Sequence, residues 1–307
     1  MARRDAPVQT STPAELRAWL AAQWAALQAE APDTALHAYA LVDVAKLSAD
    51  EHQQIARGLS PDVEGINLYG DMAGLALAQS GPRMMPLSQS TLALACEWSG
   101  KTHALSYLMG RAEMEAVAHH LQGLREVTLP DDAQALFRLQ DVNVTSHLFG
   151  LLSPGLINAV LGPLSLWAVP DVCGSVHVLR PRPGYQRLGG LRFDRRTFDQ
   201  LDEALFVFTV ADQVREVDTS LLAGLTPCQV KRTISQRLGT ARTLGLTERS
   251  DQALHVVLSF QLQEGFEREE PFASAIKQAR SGSRTFGEAV DAIPQSSWDQ
   301  WNAKHPQ

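Results

Sequence analysis

A chain of 307 residues, 45% hydrophobic and 20% charged, can bury a substantial core in one large domain or two lobes. Its net charge of −7 argues against a general nucleic-acid binder, which needs a net basic surface. No apolar run follows the two N-terminal arginines, and Pro154, Gly155, Gly162 and Pro163 break the longest apolar stretch (148–169), so neither a secretory signal nor a membrane span is expected.

Thr12-Pro13-Ala14-Glu15 reads as a helix start: a threonine cap, proline at the first helical position and an acid at the positive end of the helix dipole. Leu16, Leu20, Trp24 and Leu27 then recur at helical spacing until Pro32 and Asp33 end the run. Residues 37–44 predict a short strand, 49–59 a helix closed by Gly58, and 66–69 a strand before the Gly70-Asp71 turn. After an extended piece at 84–87, the apolar runs 91–97 and 103–109 flank an expected turn at Ser99-Gly100-Lys101-Thr102. A helix is predicted over 111–125, then a turn at Pro130-Asp131-Asp132 and a strand over 135–139. Strands and helices alternate in this way to Val178, which predicts an α/β lobe with a mixed sheet.

The pattern changes at Leu179. Arg180, Arg182 and Arg187 lie among Pro181, Pro183, Gly184, Gly189 and Gly190, as in a linker or hairpin. Beyond it the periodicity is helical: Asp194 is placed to cap 195–210, Thr226-Pro227 to cap 228–244, and Ser250-Asp251 to open 252–263. The expected organisation is an α/β lobe over 1–185 and a mainly α-helical lobe over 186–307.

No complete catalytic, metal or phosphate motif is present, so catalytic residues, metal ligands and cofactors are all expected to be none. His119 and His120 are neighbours and would point about 100° apart on a helix. Glu115 and His119 share a face but lack a third ligand. Ser146-His147 near Asp141 has no GxSxG elbow. Cys173 and His177 lack an orienting partner and sit among Val172, Val176 and Val178, as in a buried strand. The Gly70–Gly74 stretch is not a dinucleotide fingerprint, and no GxxxxGK[ST] occurs. The three cysteines, Cys96, Cys173 and Cys228, form no CxxC pair and are expected to be reduced thiols in a cytoplasmic protein. The arginine-rich loop reads as solvated, with contact to an acidic partner as the competing function for Arg180, Arg182 and Arg187. Arg138, at the end of an apolar run, and Asp141 three residues on suggest an ion pair that holds a turn.

Four segments then fall in a recognisable order: Tyr39-Ala40-Leu41-Val42-Asp43-Val44-Ala45, Leu121-Gln122-Gly123-Leu124, Phe137-Arg138-Leu139-Gln140-Asp141-Val142, and Gly162-Pro163-Leu164-Ser165-Leu166-Trp167. Over 39–171 they resemble the DUF4123 family of adaptor chaperones, which load toxic effectors onto the type VI secretion spike. Gln140, Val142 and Val44 depart from the family pattern, which usually has an aromatic, a proline and a glycine there. The resemblance implies a cytoplasmic adaptor that binds one effector, joins it to the VgrG spike protein, and has neither nucleic acid nor membrane as partner. It also implies that Arg138, Asp141, Gly162, Pro163 and Trp167 belong to a structural motif. Partner selectivity is expected from the helical lobe, through apolar helix faces at Leu201, Leu205, Phe208 and at Leu254, Leu258, Leu262, which otherwise pack that lobe's own core. The alternative reading is a hydrolase or nucleotide-dependent enzyme using the histidines or the arginine loop.

Overall fold

A computed structural model describes residues 6–61, 63–72, 80–186, 189–262 and 265–305. The first unit runs to Ala204 and the second from Leu205. In the first, β1 (Val8–Gln9) leads to α1 (Pro13–Glu30), β2 (His37–Val42) and α2 (Ala49–Leu59), then β3 (Ile66–Asn67), β4 (Arg83–Leu87) and α3 (Leu92–Thr102). β5 (Leu105–Gly110), α4 (Met114–Gln122) and the strands β6 (Glu126–Thr128) and β7 (Gln134–Leu136) follow. The series closes with α5 (Val142–Phe149), α6 (Pro154–Leu161), β8 (Leu164–Pro170) and β9 (Ser175–Leu179).

Seven strands form one sheet in the order β1-β9-β8-β5-β2-β4-β3. Its pairings are antiparallel throughout, not mixed as the alternation of strands and helices suggested. α1, α2 and α3 each join strands of the same sense, but those strands are not neighbours: oppositely running strands lie between them in the sheet, so alternation in sequence does not enforce parallel pairing. β6 and β7 pair separately as a two-stranded antiparallel sheet, and the chain leaves it before Phe137, so the strand expected over 135–139 ends early.

Apolar residues cover both faces of the large sheet. Ala38, Ala40 and Val42 of β2, with Tyr107 and Met109 of β5, face a core closed by Leu16 and Leu20 of α1, Ile55 of α2, and Ala95 and Cys96 of α3. The residues between them, Tyr39, Leu41, Leu108 and Trp167, are buried too, and Phe149 of α5 meets the Trp167 ring edge-on at 5.5 Å. A strand buried on both faces reads as a continuous apolar run, which is why 37–42 was legible.

Three further expectations shift. Ser99-Gly100-Lys101-Thr102 is the last turn of α3, and the helix ends only at His103, in the left-handed conformation (φ 50°). The division between units falls inside α7 (Arg195–Val217), after Ala204 rather than in the loop near 185. The reason is pairing: Thr128 donates its N–H to the Leu191 carbonyl and accepts one from Phe193, which binds that segment to β6 in the first unit. Asp194 caps α7 through the Thr197 N–H at 2.7 Å, as its position suggested.

The second unit is helical: α8 (Pro227–Thr243), α9 (Arg249–Gln261), α10 (Phe272–Arg280), α11 (Phe286–Asp291) and α12 (Gln295–Lys304) follow α7. A capping box at Thr226 and Gln229 starts α8, as expected. Asp251 does not open α9, which begins at Arg249. Its carboxylate instead caps α11 by accepting the Phe286 and Gly287 N–H groups at 2.9 and 3.1 Å. The unit holds two apolar clusters, one around Val210, Val214, Ile234 and Val256, the other around Phe266, Phe272, Phe286 and Trp301. No helix among the described residues is long and apolar enough to cross a membrane.

Candidate functional site

A cluster of two acids and two bases lies where β2 and β5 share one end of the sheet. Val42 pairs with Leu105, and the Asp43 N–H continues the ladder to the Ala104 carbonyl at 2.8 Å. Asp43 is therefore carried by the strand into the protein, with no exposed side-chain surface. Arg138 Nη2 lies 3.5 Å from its carboxylate and Lys46 Nζ 4.0 Å. Burial pushes the Asp43 carboxyl above its usual range, and Lys46 and Arg138 pull against that shift.

Asp141 completes the group. It caps α5, accepting the Asn143 N–H at 3.0 Å, and takes Lys46 Nζ on the same oxygen at 2.7 Å. The turn that closes when the Asp141 N–H reaches the Arg138 carbonyl brings Arg138 Nη2 to 3.8 Å from the other oxygen. The pair expected at Arg138 and Asp141 thus exists, but it is one of the longer links in a four-residue network of two acids and two bases, exceeded only by Lys46–Asp43 at 4.0 Å. Opposite charges offset one another across the cluster. Such networks fix geometry while adding little net stability over apolar packing. Beside it, the Tyr69 hydroxyl donates to Gln140 Oε1 at 3.4 Å. Arg125 grips Asp71 with both Nη atoms and donates to the Leu68 carbonyl at 3.1 Å, which pins the Gly70-Asp71 turn. Ala73 and Gly74 lie outside the described residues.

The same end of the sheet carries Asp171, just after β8. Its Oδ1 accepts the Cys173 and Ser175 N–H groups at 2.8 and 2.9 Å, and its Oδ2 lies 3.3 Å from His177 Nε2. His177 therefore turns to Asp171 and serves the β8–β9 turn. Burial and Lys46 lower the His103 imidazole below its usual range, with Asp171 opposing. Burial raises the Cys96 thiol to about 11, the behaviour of an inert core cysteine. Cys173 and Cys228 are not free thiols, so the expectation of three reduced cysteines holds only at Cys96. The lack of a CxxC pair excludes only a local redox pair. Ser146 Oγ and His147 Nδ1 are 3.4 Å apart, but that ring nitrogen is 2.7 Å from the Asn143 carbonyl, and Asp141 is engaged elsewhere. Among the described residues no three His, Cys, Asp or Glu side chains are grouped to share a metal ion.

The fourth landmark is structural in its geometry. Gly162 has φ 57°, and a Cβ there would overlap the His120 ring, whose Nε2 sits 2.9 Å from the Val160 carbonyl. Pro163 follows as the chain enters β8. Trp167 is fully buried in β8 and donates its indole N–H to Ser106 Oγ at 3.1 Å.

The residues expected to meet partners divide. Arg180 is half-buried and reaches Gln23 Oε1, Arg182 is half-buried on a groove wall, and Arg187 lies outside the described residues. The apolar residues of the helical lobe do not form open faces. Leu258 is in the aromatic core with Leu254 and Leu262 packed on it, Phe208 packs on the other core, Leu201 is buried and Leu205 half-buried. Helical spacing marks a face as apolar without saying whether a neighbour covers it.

Asp43 and Lys46 were missed as site residues, although Asp43 stood in the first landmark. An acid directly after a continuous apolar strand was the available signal. Residues 38–157 match the model of the domain of unknown function DUF4123. This match supports the DUF4123 resemblance over a stretch holding Asp43, Lys46, Arg138 and Asp141, while Gly162, Pro163 and Trp167 fall beyond it. No curated protein and no solved structure matches the chain.

Proposed function

We propose that the protein is an adaptor chaperone that holds a type VI secretion effector and passes it to the VgrG spike protein, working on the cytoplasmic side by binding rather than by turnover. The observation that carries this reading is the meeting of two DUF4123-like landmarks, one at Asp43 and one at Arg138 and Asp141, in a single charge-balanced cluster. A nucleophilic enzyme needs an attacking group beside an oriented base. A cluster whose charges are held by one another supplies a fixed scaffold instead, and a scaffold suits a protein whose work is recognition. Neither nucleic acid nor membrane is assigned as partner. The choice of effector is assigned to the helical second unit, through surfaces other than its core leucines.

Co-expression with a candidate effector toxin from the same host tests the reading. Soluble toxin should accumulate with the chain and fall when it is omitted, whereas equal yields would contradict the chaperone role. Purified protein should stay at background against ester, peptide, nucleotide and nucleic-acid substrates. A rate proportional to protein concentration and abolished by His119→Ala would favour the hydrolase.

A further inference from the structure

The first unit contains a groove of about 1470 Å³ between α6, the 182–185 turn and the start of α7. This exceeds the roughly 300–1,000 Å³ of small-molecule pockets. Its floor is aliphatic and aromatic: Leu151, Leu156, Ile157 and Phe193. Its rim is basic, with Arg182, Arg192, Arg195 and Arg196 against the single acid Asp194. In a chain of net charge −7, four arginines around one apolar groove are a local reversal of sign.

The wall is built in advance. Asn158 of α6 donates to the Arg182 and Tyr185 carbonyls at 3.0 and 2.9 Å and accepts the Arg182 N–H at 2.7 Å. Tyr185 stands 51% exposed beside this wall, an amphipathic ring at low entropic cost to a contact. Arg192 pairs with Asp132 at 2.7 Å and Arg195 with Asp199 at 3.7 Å, both on open surface. Such exposed pairs hold weakly and can exchange for a ligand's carboxylates. Arg195 and Arg196 also occupy the first turn of a 23-residue helix, where the dipole favours an anion and a basic side chain gains nothing for the helix itself.

We propose that this groove binds an amphipathic acidic peptide segment of a partner protein, apolar side chains on the floor and carboxylates at the arginine rim. The proposal rests on the adaptor reading only for the occupant being a protein. The floor is mainly aliphatic and its Phe193 ring is buried, which favours a peptide over single-stranded nucleic acid, whose bases need a series of exposed aromatic platforms.

The test uses the full chain and a fluorescein-labelled peptide with leucines at helical spacing and glutamates between them. A lysine counterpart, anionic phospholipid vesicles and a single-stranded oligonucleotide complete the set. We expect saturable binding of the acidic peptide that weakens with salt, and no binding of its basic counterpart. The Arg195→Glu/Arg196→Glu variant should bind it at least about tenfold more weakly. It should keep its melting temperature, because acids suit a helix start. Leu156→Glu, at a half-buried position, should weaken binding through the floor. Equal binding of both peptides, an undiminished double variant, no peptide binding, or preference for vesicles or oligonucleotide would each overturn the proposal. Effector capture that persists without peptide binding would remove the groove and leave the adaptor. Rim-dependent peptide binding without effector capture would do the reverse.

Discussion

The two units solve the problem of a specific core differently. In the first, side chains distant in sequence are brought together by sheet pairing, and polar groups are buried as an ion-pair cluster joining Asp43 to Arg138 and Asp141. In the second, one of the two apolar clusters is assembled from rings: Phe272 meets Phe266, Trp298 and Trp301 at 5.0–5.1 Å, and the buried His255 lies 5.3 Å from Phe266. Ion pairs and strand register tolerate few alternatives, whereas apolar cores accept volume-conserving exchange. That difference matches where recognisable landmarks lie, since the family match falls wholly in the first unit.

Truncation at the largest fully buried ring should have the largest effect. Trp167→Ala should destabilise the protein by about 3–5 kcal/mol in urea unfolding, through a cavity and an unpaired Ser106. Phe272→Leu in the ring cluster should cost less, under about 1.5 kcal/mol if the neighbours repack. Equal losses would break the contrast between a specified sheet core and a tolerant helical one.

Arg138→Ala comes next, at about 1–4 kcal/mol, because it leaves the buried Asp43 with Lys46 alone. Its own 47% exposure places it below a fully buried pair. Adding Asp43→Asn should recover part of that loss, since the uncompensated charge goes with it. Strict additivity would mean that the cluster is not coupled. An unchanged melt with lost partner binding would make Arg138 an interface residue.

The smallest effects lie in pH dependence and carry opposite signs. Asp43 has a raised carboxyl pKa, so the native state holds its proton more tightly than the unfolded chain. Its contribution should fall as pH rises from the ordinary value of 3.8 through the folded value, and Asp43→Asn should remove that slope. His255 is lowered by burial and by Arg237, with Glu267 opposing. Its contribution should be complete above 6.5 and decline as pH falls below it, a decline that His255→Phe should reduce. His52 and His103 are lowered too and should leave a residual slope. Thermal melts across pH for the two variants measure both.

Much of this was legible locally. Thr12 caps α1 as its position suggested, with Glu15, expected only to favour the helix dipole, completing a capping box, and the apolar run 37–42 is a strand covered on both faces. What local pattern misled on was termination: the polar run Ser99–Thr102 looks like a turn but is the end of α3, whose buried Leu92, Ala95, Cys96 and Ser99 carry the helical period. The site itself was half visible. Arg138 and Asp141 lie three apart, but Lys46 binds Asp141 across 95 positions, and no periodicity reports such a pairing. The groove was hidden for the same reason, its lining being drawn from residues 130, 151–154, 156, 157, 182, 185, 189, 190 and 192–197.

The most direct measurement is co-purification of the tagged full chain from its own host under conditions in which that host expresses type VI secretion toxin and spike proteins. We expect the cognate effector and VgrG to elute with the chain. A chain that elutes alone, with both proteins present in the extract, would contradict the adaptor function.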